Sequence, residues 1–284
     1  MTDFTPVAEA FSRKAKVYDA FGQDHPNLAR MRARVRQHLM RLRPPPARLL
    51  ELNAGTGADA VYFAQQGYRV LATDISPGMV AEIRAKIEKR ESRLEIRESR
   101  LEIRESGIGD RLSVQQLSFT DLDRLDDGPF DVVFSNMGGL NCIPDLAAVT
   151  RHLPGLLAPG GVVTFVIMPP ICPWEWTAVL RGDFRTAFRR LKPGGVLANV
   201  EGVRFRTWYF TPRQARRAFG PGFRTARLEA LSLFTPPADR KHFAHRFPRL
   251  YRALAWLDDR LAPRFPFNHW GDFFVLSMRF EGVE

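Results

Sequence analysis

Residues 47–76 read ARLLELNAGTGADAVYFAQQGYRVLATDIS. Arg48 to Leu52 is a short apolar run of the length that suits a buried parallel strand. Asn53-Ala-Gly-Thr-Gly57 follows as a turn, with glycines that let backbone approach a ligand closely. Ala58 to Gln66 has helical apolar spacing (Val61, Phe63, Ala64), and Gly67 stops it. Tyr68 to Thr73 reads as a second strand with Asp74 at its carboxyl end. A glycine turn, a helix N-terminus and a carboxylate roughly 20 residues on form the layout in which a nucleotide-like ligand sets its ribose hydroxyls on the acid.

The turn departs from the dinucleotide pattern G-x-G-x-x-G. Ala60 takes the place of the third glycine, and Asp59 beside it would repel a pyrophosphate. The turn instead resembles motif I of the class I S-adenosylmethionine (SAM) methyltransferases, E/D-x-G-x-G-x-G, as Glu51-Leu-Asn53-Ala54-Gly55-Thr56-Gly57. Asn53 replaces the first glycine, and Asn tolerates left-handed dihedrals better than most residues.

Later segments carry the same resemblance. Leu112 to Leu117 reads as the third strand, and Ser118-Phe119 stands where the family binds adenine, although the family's usual Asp is absent. Pro129-Phe130-Asp131 leads into a fourth strand, VVFSN, whose carboxyl end carries Ser135-Asn136-Met-Gly-Gly-Leu-Asn141-Cys-Ile-Pro144. That stretch resembles motif IV, where strand-end residues face the methyl group and the acceptor. It is not the Asn-Pro-Pro-Tyr of DNA-base N-methyltransferases. Asp145 to Leu157 reads mostly as helix, and Ala158-Pro-Gly-Gly161 as the turn before strand five, Val162 to Ile167.

The resemblance covers residues 10–168 well and the remainder in architecture alone. It implies an α/β fold, a Rossmann-like seven-stranded sheet of order 3-2-1-4-5-7-6 with helices on both faces and a lid insertion after strand five. It also implies SAM as cofactor, with Glu51, Asn53, Ala54, Gly55, Thr56, Gly57, Asp74, Ile75, Met79, Ser118, Phe119, Ser135 and Asn136 as its binding residues. The chain looks closest to the small-molecule group that includes ubiquinone/menaquinone-biosynthesis-type enzymes.

Four segments follow: an N-terminal helical cover (1–46), the SAM-binding core (47–168), a lid and acceptor insertion (169–222), and a C-terminal part (223–284) with strands six and seven around a basic helix. In the cover, FSRKAKVYDAF resembles the leader of small-molecule methyltransferases, with Phe11, Ala15 and Tyr18 on one face. Leu28 to Leu42 is a basic amphipathic helix ended by Pro44-Pro-Pro46. In the core, ESRLEIR occurs twice in tandem at 91–97 and 98–104. It reads as a duplicated, solvated helix extension over 91–106, stopped by Gly107-Ile-Gly109, with no chemistry assigned.

In the lid, a helix is expected from Trp174 to about Leu191, a strand over Val203 to Phe210, and a helix capped by Thr211. Trp174 and Trp176, with Tyr18 and Asn141, are the acceptor-pocket candidates. A base is needed only where the acceptor must lose a proton; Glu175, His242, His245 and His269 are the weak candidates, and the catalytic residue stays unassigned. No three His residues show a metal-ligand spacing, so no metal is expected.

Of 42 basic residues only six are Lys, and the net charge is +11. The arginines are spread without a dense tract, which favours general solvated cations over a nucleic-acid surface. No apolar run reaches membrane-spanning length, no signal-peptide core is visible, and Cys142 and Cys172 build no disulfide framework, so a cytosolic protein is expected. The basic helix at 239–261, with Phe243, Phe247, Leu250 and Leu254, suits peripheral contact with an anionic membrane. The resulting reading is methyl transfer from SAM by in-line displacement to a small, hydrophobic acceptor. The alternatives are an RNA methyltransferase and a SAM-fold interaction protein without catalysis.

Overall fold

The computed structural model describes residues 3–101 and 108–282. Two helices lead: α1 (Thr5–Gly22) and α2 (Pro26–Leu42). Alternating units follow: β1 (Arg48–Leu52), α3 (Ala58–Gln65), β2 (Arg69–Asp74), α4 (Pro77–Leu101), β3 (Leu112–Gln116) and β4 (Phe130–Ser135). Helix α4 crosses the first ESRLEIR copy and runs into the second; residues 102–107, including the expected stop at Gly107, lie outside the described residues.

Next come two single turns, α5 (Ala147–Thr150) and α6 (Leu153–Leu156), then β5 (Leu157–Ile167). The expected helix over 145–157 is thus split, and Pro154 in the first turn of α6 lacks the N–H that a continuous helix would use. Strand β5 begins five residues earlier than expected. It takes in the Ala158–Gly161 segment through an irregular register between Phe130 and Val132 of β4.

The lid differs most from expectation. Between Trp174 and Leu191 there is no single helix but α7 (Pro173–Trp176), a 3-10 turn (Thr177–Arg181), α8 (Phe184–Ala187) and a second 3-10 turn (Arg189–Leu191). Gly182, at φ 74°, ends one run, and the Asp183 carboxylate accepts from Thr186 N to cap the next. The expected strand over 203–210 is β7 (Val203–Thr207), shorter and paired antiparallel with an unforeseen β6 (Val196–Val200) in a separate hairpin. The Thr211 cap is present as a capping box with Gln214 on α9 (Pro212–Arg217).

Strand β8 (Phe223–Leu231), α10 (Phe243–Arg246), α11 (Pro248–Leu261) and β9 (Phe273–Phe280) complete the chain. Here too an expected continuous helix is broken, because Pro248 holds Phe247 out of the helical region. The sheet order is β3-β2-β1-β4-β5-β9-β8, with β5–β9 and β9–β8 antiparallel. With β8 and β9 as the sixth and seventh sheet strands, this is the implied 3-2-1-4-5-7-6 order.

Both faces of the sheet are buried. Met31, Val35 and Leu39 of α2 and Phe63 of α3 pack on one, and Phe210 and Phe219 lie in the cluster on the other. Leu28, Met31, Val35 and Leu39 turn inward as the helical spacing predicts. The parallel strands therefore aim their carboxyl ends at a common edge, where α1 lies.

Candidate functional site

At that edge a cleft opens beneath α1. Its floor is the glycine turn. Asn53 sits at φ 47°, the left-handed conformation expected of an Asn in a glycine's place. Its side chain also ties two strand ends together: Ser135 Oγ donates to Asn53 Oδ1 (2.6 Å), and Asn53 Nδ2 donates to Asn136 O (3.1 Å). The approach is so close that a Cβ on Gly139 would lie 2.4 Å from the Asn53 amide, so only glycine fits there.

Asp74 stands at the end of β2. Gly55 N donates to its Oδ2 and Ser76 N to its Oδ1, each at 2.8 Å. Burial nevertheless raises its carboxyl to about 6. Glu51 is buried at the end of β1. Burial, then the neighbouring Asp59 carboxylate, push its carboxyl well above the usual range against Arg36 and Arg32. Its Oε2 has no hydrogen-bond partner, and neither has the buried Nε of Arg32, which α2 sends into the same cleft. Asp59, by contrast, is engaged: Arg36 Nε donates to Oδ1 (2.6 Å) and Asn136 Nδ2 to Oδ2 (2.9 Å).

The cover is strapped down beside the turn. Thr56 Oγ1 donates to Asp19 Oδ1 of α1 (2.5 Å), and Lys86 Nζ of α4 reaches Asp19 Oδ2 (2.5 Å) and Thr56 O (2.6 Å). Ser12 and Ser76 hydroxyls meet at 2.8 Å. Tyr18, Phe11 and Val7 line the roof.

Of the residues expected at the cofactor, Glu51, Asn53, Ala54, Gly55, Thr56, Asp74, Ile75, Met79, Phe119 and Asn136 line the cleft. Gly57, Ser118 and Ser135 do not. Ser118 Oγ is paired with Thr120 Oγ1 (2.8 Å), and Ser135 acts through Asn53. Arg32, Asp59, Met137 and Cys142 line it without having been anticipated. Burial pushes the Cys142 thiol up to about 12, which keeps it protonated.

Among the acceptor candidates, Tyr18 is in the cleft and the other three are not. Asn141 is buried as a clamp between β5 and the hairpin. Its Nδ2 donates to Met168 O (3.2 Å) and Trp208 O (2.6 Å), and its Oδ1 accepts from Met168 N (2.9 Å). Trp174 donates to Phe234 O (3.0 Å), and Trp176 is exposed.

None of the weak base candidates reaches the cleft either. Although burial opposes it, Arg189 and Arg190 hold the Glu175 carboxyl below its ordinary range, with three bonds of 2.7–2.9 Å. His245 faces Asp24 at the surface (3.3 Å), and His242 precedes α10. Burial, then Arg216, lower His269, which pairs with Asn268 (2.7 Å).

Residues 50–165 match a family model described as a methyltransferase domain. No curated protein sequence matches the chain. Among solved structures, the CcbJ methyltransferase from Streptomyces caelestis is 18% identical, with a TM-score of 0.56 over 95% of this chain and 96% of that one. The 1,6-didemethyltoxoflavin-N1-methyltransferase of Burkholderia thailandensis, solved with its acceptor and S-adenosylhomocysteine, is 18% identical over 97% and 87%, with a TM-score of 0.53. The cyclase SpnF is 16% identical over 88% and 81%, also with a TM-score of 0.53. At these identities the likeness establishes the fold. Residues 50–165 are thus similar to a methyltransferase domain, and the described chain as a whole has the fold of these solved structures.

Proposed function

We propose that the chain transfers the methyl group of SAM to a small, largely apolar acceptor held between α1 and the carboxyl ends of β1 and β4. The observation that carries this reading is the pair of buried, unpartnered groups of opposite kind in one cleft, Glu51 Oε2 and Arg32 Nε, beside Asp74. An amino-acid end needs an acceptor for its ammonium and a donor for its carboxylate, and a ribose needs a carboxylate. The residues present fit SAM on all three counts.

SAM, when bound, supplies a methyl group already activated on sulfur. Asp74 would accept from the ribose hydroxyls, while Ile75, Met79 and Phe119 would flank the adenine. Val7, Phe11, Met137 and Cys142 leave an apolar wall for the acceptor, which suits orientation and exclusion of water. The residues lining the cleft include no imidazole. Asp59 is held by Arg36 and Asn136, and Cys142 stays a thiol. The acceptor must then bring a nucleophilic atom with a free lone pair at neutral pH, rather than one that waits for a base.

Because a cyclase shares this fold, transfer itself has to be measured. Labelled-methyl transfer should appear on weakly basic aromatic amines or acidic phenols, with Arg32→Met raising the apparent KM for SAM. SAM binding without transfer to any such acceptor, or an Arg32→Met variant that binds SAM as wild type does, would overturn this reading.

A further inference from the structure

The lid carries a stripe that the methyl-transfer site does not use. Trp176, Leu180, Phe184, Phe188 and Leu191 are exposed across the short turns of the lid, by 40%, 89%, 60%, 45% and 50%. Arg181, Arg185, Arg189 and Lys192 alternate with them and are also exposed. The acids nearby are engaged, Glu175 with Arg189 and Arg190, and Asp183 in capping Thr186.

A second patch of the same make-up lies on α10 and α11. Phe247, Leu250 and Trp256 are exposed there among Arg246, Arg249, Arg252 and Arg260. Arg246 lies over the Phe247 ring (5.3 Å) and Arg260 over Trp256 (4.6 Å). Asp258 of α11 is buried and accepts from Phe234 N and Thr235 N, and Asp259 is held by Arg30 and Arg34, so neither offsets these cations. Ring contacts join the two patches: Trp174 meets Phe243 at 5.6 Å, and Phe243 meets Phe247 at 5.4 Å.

We infer that the lid stripe and the exposed face of α10–α11 form one docking surface for an anionic lipid bilayer. Large apolar side chains set among arginines are what an interface between acyl chains and negative headgroups receives. Charge decides against the other occupants. A second copy packed face to face would bring cations against cations with few free acids to meet them. A nucleic acid would answer the arginines but leave Leu180, Leu191 and Leu250 uncovered. No helix among the described residues is long and apolar enough to cross a membrane, so the contact is peripheral.

The test is flotation of the full chain with phosphatidylcholine vesicles, with and without about one third phosphatidylglycerol. The expected result is binding to the anionic vesicles at low salt, reduced in high salt. Leu180→Glu/Phe184→Glu should weaken it at least about tenfold, since each exposed side chain loses the burial the membrane would provide. Calorimetry should show that this variant keeps wild-type SAM affinity, which separates the surface from the cofactor reading. No flotation on anionic vesicles, equal flotation of wild type and variant, or a concentration-dependent dimer that the variant abolishes would each overturn the inference.

Discussion

Buried charge is handled differently at the two ends of this sheet. Under α1, Glu51 Oε2 and Arg32 Nε lack hydrogen-bond partners, and burial lifts Asp74 to about 6. Toward β9 and β8, charges are matched within the protein. Arg190 bridges Glu175 (2.7 Å) and Asp272 (2.8 Å). Glu229 is buried, yet the nearby His38 ring (3.6 Å) and the guanidiniums of Arg34 (3.3 Å) and Arg227 (2.8 Å) hold it down to about 2. Unmatched charge in a cleft is poised for a ligand, whereas matched charge is support. Glu175 illustrates why this matters: by sequence it is one of four weak base candidates, and its two arginines make it a brace.

The largest effect expected from this contrast is on the support side. Arg190→Met strands the buried Asp272 and leaves Glu175 to Arg189 alone, and it should cost about 3–5 kcal/mol in denaturant unfolding. A small change there would mean the brace is not needed. On the cleft side the sign reverses. Glu51→Gln removes a buried carboxyl whose ionisation burial opposes, so it should stabilise the ligand-free chain by on the order of 1 kcal/mol while weakening SAM roughly tenfold. Loss of both stability and affinity would make Glu51 a structural residue.

The pH profile sharpens the contrast further. In the proposed site ribose hydroxyls would donate to an ionised Asp74, and burial lifts its carboxyl to about 6 in the free protein. SAM affinity should therefore be level above that pH and fall as pH drops through it, by up to about tenfold per unit. Repeating the titration in Glu51→Gln keeps the second carboxyl out of the profile. The smallest effect belongs to Trp176→Ala, which should leave SAM affinity within about twofold, because the ring lies outside the cleft.

The same contrast explains what could be read in the sequence. The cleft positions of Gly55, Asp74 and Ile75 are legible because strand, turn, helix and strand-end acid follow one another in a short stretch of chain. Arg32 is not, since it looks like any other arginine on a basic helix and only the packing of α2 brings it to the turn. Asn141 was read as pocket-facing from its place after β4, but three hydrogen bonds make it a clamp. In the lid, the sequence predicts one helix from Trp174 to about Leu191 and acceptor contacts at Trp174 and Trp176. Gly182-Asp183 breaks the helix, and several of its aromatics face outward. Pro248 breaks the single basic helix expected over 239–261, whose amphipathic pattern runs on across the break.

The most direct test is calorimetric titration of SAM into wild type and Asp74→Ala. A bound ribose would lose a charge-assisted pair of hydrogen bonds in the variant, so binding should weaken by about 2–3 kcal/mol. Equal affinity in the two proteins would contradict the placement of the cofactor in this cleft.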